Sequence, residues 1–203
     1  MIHGAKYADN KVKIHYDQTN NALEEFVRKI KIMEKLSGGY LNSCGLETMA
    51  CCLEATQDNP FGFLNKRIQP GDYIFGYMNN KSNYDYFDKM GIKGHRSIPG
   101  NMISELYVLA CKDLLDVEVA ITNNLEWDDV KLLLKEKSAI QFAYFNPNHY
   151  SAIVKHDEEK NIMLVVNSWP NMPGNKNGGW HEEMSEKEFT ENVKSKFILY
   201  GAQ

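Results

Sequence analysis

The hydrophobic pattern of this chain changes period near residue 138, and that change limits the folds open to it. Upstream, apolar residues recur every three to four positions, the spacing of one helix face. Downstream they alternate, as in strands with one buried side. Expected strands cover 139–145, 149–155, 162–166 and 197–200. In the first half, Leu23, Phe26, Val27, Ile30 and Met33 mark an amphipathic helix over 20–36. Asn20 or Asn21 can cap it, and Ser37-Gly38-Gly39 stops it. A second helix begins near Cys44, with Leu46, Met49, Ala50 and Leu53 on one stripe, and ends before Asp58-Asn59-Pro60. A third opens at Pro99-Gly100-Asn101 and carries Ile103, Leu106, Tyr107 and Ala110 on one face. Residues 117–122 alternate like a strand. Trp127, Val130, Leu133 and Leu134 predict a short helix after an Asn cap, and Ser185 with Glu188 forms a capping box.

Helices first and an antiparallel sheet second define an α+β class, a helical N-terminal half packed on a C-terminal antiparallel sheet. The expected organisation is a single domain over 1–203. An irregular or short-strand lead-in covers 1–19, a mainly helical lobe 20–115 and a mainly sheet lobe 116–203. Residues 59–100, with six glycines and a Tyr84-Tyr86-Phe87 cluster, are expected to form short turns and a brief helix. Such a segment either displays a recognition surface or merely connects.

With 43% hydrophobic and 25% charged residues the composition is that of a soluble globular domain. A formal charge of −4 and the lack of a Lys/Arg run argue against nucleic acid as a partner. No apolar run approaches the roughly eighteen residues of a membrane span, and the first residues contain no signal-peptide core, so a cytoplasmic start is expected. The four cysteines, Cys44, Cys51, Cys52 and Cys111, are then expected as free thiols. No Cys-x-x-Cys or His-x-x-x-His spacing suggests a metal site. Cys51, Cys52 and Cys111 are taken as packing residues.

Cys44 stands apart because it opens a helix, where unpaired N–H groups and the helix dipole favour a thiolate. The plainer alternative is one more small buried hydrophobe. Among the six histidines, His149 is distinguished by what lies across from it. A polar turn at 156–160 joins two strands, and pairing Lys155 with Asn161 sets His149 opposite Asn167 on one side of the sheet. An Asn carbonyl there would orient the imidazole, and a thiol facing its other nitrogen would complete a nucleophile, base and orienter. The competing explanation is a polar cross-strand pair on a half-exposed hairpin.

These residues carry a resemblance. Asn167-Ser168-Trp169, following a histidine by a similar interval, resembles the Asn-Ser-Trp segment of papain-like cysteine peptidases. The order Cys, His, Asn is the same. The Cys44-Gly45 helix start and the tail, with its short helix over 185–189, are similar to the C39-like branch of that superfamily. The likeness covers about residues 37–200. It implies Cys44 as nucleophile, His149 as base and then acid, Asn167 as orienter, and Trp169 as a shield over the His149–Asn167 bond. Two departures stand out. Gly38 occupies the place where these families carry an oxyanion-binding Gln, so Asn42, or the Tyr40 hydroxyl, would supply that donor with the Cys44 N–H. Asn167 stands where C39-like members more often carry Asp. The resemblance implies hydrolysis of a peptide, including a peptidoglycan peptide, through a thioester and without metal or organic cofactor. A lysin released to the cell wall by a separate pore is one such enzyme, and a leader-processing peptidase another. Acyl transfer by a transglutaminase-like or arylamine N-acetyltransferase-like enzyme uses the same residue set, and a papain-like interaction module without activity is the non-enzyme alternative.

Overall fold

A computed structural model describes residues 1–4, 44–65, 68, 70–144, 149–167 and 181–201. The helix expected over 20–36, and Gly38, Tyr40, Asn42 and Trp169, lie outside the described residues. Within them the chain is a mixed helical and antiparallel-sheet fold, as its pattern predicts.

The strands are β1 (Ile2–Gly4), β2 (Val119–Thr122), β3 (Ala139–Tyr144), β4 (Tyr150–Asp157), β5 (Ile162–Asn167), β6 (His181–Ser185) and β7 (Val193–Tyr200). They form one sheet in the order β2-β7-β3-β4-β5-β6, with β1 paired to the far end of β4. All these pairings are antiparallel. Residues 2–4 take the short-strand form open to the lead-in and join the sheet, whereas β6 is not announced by His-Glu-Glu-Met-Ser, which alternates too weakly to mark a strand.

The helices are α1 (Cys44–Thr56), α2 (Pro70–Met78), α3 (Tyr84–Lys89), α4 (Ser104–Leu115), α5 (Trp127–Lys135) and α6 (Glu186–Asn192). The 59–100 segment is thus more ordered than expected, holding two α-helices as well as turns. Pro70 starts α2, where its missing N–H costs nothing. Ile74, Met78, Phe87 and Ile92 then sink into the core. The aromatic cluster packs around buried His95, with the Tyr84 and Phe87 rings edge-on to it at 5.0 and 5.6 Å.

Strand alternation divides the apolar side chains between two cores. Ala139, Ala152, Val154, Val166, Ile198 and Tyr200 face α1, α2 and α4. Ile140, Phe142, Ile153, Met163, Val165 and Phe197 point the other way, under Trp127, Val130 and Leu134 of α5 and Phe189 of α6. The helices therefore cover both faces of the sheet. The predicted stripe of α1 is fully buried, and Glu47, Thr48, Cys52 and Ala55 are buried with it. This helix is enclosed almost all round, between the sheet on one side and α2 and the 3₁₀ turn Gly100–Met102 on the other.

Local capping holds at α6, where Ser185 N–H donates to Glu188 Oε2 at 2.9 Å and Glu188 N–H to Ser185 Oγ at 3.3 Å. The cap of α5 is Glu126 instead of an Asn, with its N–H donating to Asp129 at 2.9 Å. A carboxylate at that position serves the dipole as well as an amide would. No helix among the described residues is long and apolar enough to cross a membrane.

A candidate thiol and imidazole site

Three polar contacts fix the start of α1 against the sheet. The Gln141 amide donates to the Gly45 carbonyl at 2.8 Å and accepts from the Tyr200 hydroxyl at 2.6 Å. The Thr48 hydroxyl lies between the carbonyls of Cys44, at 2.6 Å, and Tyr150, at 3.1 Å. The Cys44 sulfur faces the backbone N–H of Tyr150, the residue after His149. Chain positions about a hundred residues apart are joined here by ties to main-chain atoms, which hold whichever side chains the flanking residues carry.

Gly45 is what lets the helix approach so closely. A methyl group there would lie 2.2 Å from the Tyr107 hydroxyl oxygen. Tyr107 is fully buried, donates to the Asn101 carbonyl at 2.8 Å, and lies 6.3 Å from the Tyr150 ring, centroid to centroid. The Cys44-Gly45 pair thus combines a thiol at a helix start with the only residue type that fits beside it.

His149 precedes β4, and its Nε2 lies 2.6 Å from Asn167 Oδ1. The contact expected between these residues is present, but the register that produces it differs. Asn167 is paired with Ser151, two residues along from the expected partner. The cause is at the other end of the hairpin. Asp157 Oδ1 accepts from the N–H groups of Glu159 and Lys160 at 3.0 and 3.2 Å, so the strands run on to an Asp157–Ile162 pair and the turn shortens. Asn161 takes the left-handed φ of 51° that such a turn needs. A bulge between Ile153 and Lys155 then removes one step of the offset. On the Asn167 side of the bulge the net slip is two, which keeps those side chains on their intended face, whereas a slip of one would reverse them.

Both candidate groups are buried: Cys44 is 8% exposed and His149 2%. Burial pushes the Cys44 thiol up. The N–H groups of Tyr150, Gly45 and Cys44 pull the other way, and nearby Glu47 adds to the rise. The readier ionisation expected of a thiol at a helix start is therefore reversed here, because the cost of desolvating the thiolate outweighs the amide donors. Burial also lowers His149, to about 4, against the Asn167 hydrogen bond, which raises it. Both shifts favour a neutral thiol and a neutral imidazole.

Beside the site opens a groove of about 400 Å³ lined by Ile98, Met102, Ile103, Ala143, Tyr150 and Lys196, among others. Ile98 and Met102 are 45% and 43% exposed. At its rim Lys196 pairs with Glu105 at 2.8 Å. A larger hollow, about 590 Å³, lies on the far face between α5 and α6 and holds neither Cys44 nor His149. All four cysteines are free; Cys52 and Cys111 are fully buried and Cys51 partly so. Among the described residues no three His, Cys, Asp or Glu side chains gather as a metal cluster.

Sequence reasoning missed the neighbour of Asn167. Its Nδ2 donates to Glu182 Oε1, and the Tyr144 hydroxyl donates to Glu182 Oε2 at 3.1 Å. Recognising 181–185 as a strand beside β5 would have pointed to Glu182. What the fold and site define is a mixed α and antiparallel-β domain in which a helix-start cysteine faces the Tyr150 N–H and the preceding His149 is paired with Asn167. No protein-family model matches the chain, and no curated protein matches it in sequence.

Proposed function

We propose that this protein is a cysteine peptidase or amide hydrolase with a papain-like arrangement, acting through Cys44, His149 and Asn167. The observation that carries the proposal is the meeting at Tyr150. Its N–H faces the Cys44 sulfur, while the preceding His149 is hydrogen-bonded to Asn167 at 2.6 Å. In the reaction, the ring nitrogen of His149 turned away from Asn167 takes the Cys44 proton as sulfur attacks an amide carbonyl. The oxyanion forms against the Cys44 N–H, with Asn42 as the proposed second donor. Collapse breaks the C–N bond, the imidazolium protonates the leaving amine, and water then cleaves the thioester by the same base. The groove at Tyr150, with its apolar floor, suits an extended peptide, and a peptidoglycan peptide is the first substrate to try.

One observation favours a second reading, a papain-like interaction module without activity: the sulfur is nearly enclosed and held protonated. The test is incubation of wild type and Cys44→Ala with purified peptidoglycan and a peptide library, read by mass spectrometry. Hydrolysis is expected from wild type alone, and cleavage that survives the substitution removes the mechanism. Amine-dependent products without hydrolysis would instead identify an acyltransferase. Site-resolved iodoacetamide labelling adds a substrate-free measure. Cys44 reacting no faster than Cys111 favours the inactive module.

A further inference from the structure

Asn167 is fully buried in β5, and its carboxamide has two different ends. The Oδ1 end meets His149 Nε2 at 2.6 Å, and the Nδ2 end meets Glu182 Oε1 on β6. An ionised carboxylate accepts hydrogen bonds and cannot donate them, so Glu182 selects the amide end of Asn167 and leaves the carbonyl end for His149. A carbonyl cannot donate either. The ring nitrogen 2.6 Å away must then carry the proton, which puts the unprotonated lone pair of a neutral imidazole on Nδ1. Glu182 is itself held, because its second oxygen accepts from the Tyr144 hydroxyl at 3.1 Å.

The sheet order makes this chain of contacts rigid. β3, which carries Tyr144, and β6, which carries Glu182, flank the β4–β5 pair. Tyr144 N–H also donates to the His149 carbonyl at 2.9 Å, so one residue ties both the main chain of His149 and the outer end of the relay. Tyr144 is 7% exposed, so most of this network is shielded from water. The other carboxylate acting on Tyr144 is Glu188, which accepts from the Ser185 cap.

We propose that Glu182 is a positioning residue that, through the Asn167 carboxamide, fixes His149 as the Nε2–H tautomer and so reserves Nδ1 as the base. The catalytic meaning of this rests on the hydrolase reading above, whereas the tautomer itself does not. Removing the carboxylate takes away the acceptor that selects the amide end of Asn167, and a turned-over carboxamide presents its N–H groups to Nε2. That stabilises the Nδ1–H tautomer, which has no lone pair on the nitrogen that must accept the thiol proton.

The test is nitrogen-15 NMR of the His149 ring at neutral pH, paired with site-resolved alkylation of Cys44 by iodoacetamide. Wild type is expected as Nε2–H, and Glu182→Ala as a mixture of tautomers. Cys44 labelling in the variant should fall by roughly 10–100-fold, the usual effect of losing such an outer partner. Glu182→Gln, which can still accept from Asn167, should keep the wild-type tautomer. Should Glu182→Ala fold poorly, Glu182→Met fills the same space without an acceptor. A wild-type ring protonated at Nδ1, or an Ala or Met variant with the wild-type tautomer, overturns the proposal whatever the enzyme assays give. Conversely, intact cleavage by Cys44→Ala sinks the hydrolase reading and leaves the NMR result standing.

Discussion

Gly45→Ala is the sharpest test of how α1 is seated, because two simple expectations for it have opposite signs. Taken as a helix residue, Gly45 should be improved by alanine, by up to about 1 kcal/mol. Taken in its surroundings, the added methyl would lie 2.2 Å from the Tyr107 hydroxyl oxygen, 3.0 Å from Tyr107 Cζ and 3.3 Å from Tyr150 Cδ2. Tyr107 has no exposed surface to retreat into, and its hydroxyl is committed to the Asn101 carbonyl. Overpacking of this kind costs about 1–3 kcal/mol, and displacing the hydroxyl forfeits roughly another 1 kcal/mol of hydrogen bonding. The clash wins. We expect a net loss of about 1–3 kcal/mol by urea unfolding, with Tm lower by roughly 3–10 °C for a chain of this size. The cause is checked by a double-mutant cycle with Tyr107→Phe, which deletes the oxygen nearest the new methyl. Gly45→Ala should cost at least about 1 kcal/mol less in that background. An alanine variant as stable as wild type, or a cycle with no coupling, would refute the account of why glycine follows Cys44.

Two further outcomes follow from the same contacts. Gln141→Leu leaves the Gly45 carbonyl and the Tyr200 hydroxyl without their present partner, and should cost roughly 2–5 kcal/mol; stability within about 1 kcal/mol of wild type would mean the tie is dispensable. His149 is lowered from 6.5 to about 4 by burial, so between these values the unfolded chain binds its proton and the folded one does not. The stability present above about pH 6.5 should therefore be lost as pH falls towards 4, by up to roughly 3 kcal/mol. Urea midpoints of wild type and His149→Ala across that window check this, and equal slopes for the two would rule it out.

What was legible in the sequence was periodic or local. The stripe of α1, the four C-terminal strands and the Ser185 capping box all depend on neighbours within one element, and all are present. The register of the β4–β5 hairpin was not legible. It is set by Asp157 accepting two turn amides and by a bulge further on, and neither changes the alternation of apolar residues. The helices at 70–78 and 84–89 were hidden because glycines suggested turns, while long-range burial of Ile74, Met78 and Phe87 supplied what local propensity lacked. The ionisation of Cys44 was misjudged for a related reason. A helix start can be read from spacing, but the depth at which it is buried depends on Tyr107, Gln141 and Tyr150, which come from elsewhere in the chain.

That burial bears on how a thiol could react here at all. In water a helix N-terminus helps a thiolate exist, but in this site the helix amides only reduce the penalty of creating one. The imidazole is disfavoured as a cation for the same reason. A single charge on either partner is therefore costly, and a standing charge on one alone is not what the site stabilises. Moving one proton from sulfur to nitrogen would create both charges together, and opposite charges brought close offset much of each other's desolvation. On the proposed hydrolase reading, the proton transfer then belongs with the attack on the carbonyl. Such a site would gain most from a rigidly set base, because the lone pair must already point at the sulfur when the substrate arrives. The Tyr144–Glu182–Asn167 contacts behind His149 supply that rigidity, and removing them should slow the proposed hydrolysis, measured as peptide cleavage, even with Cys44 and His149 both intact.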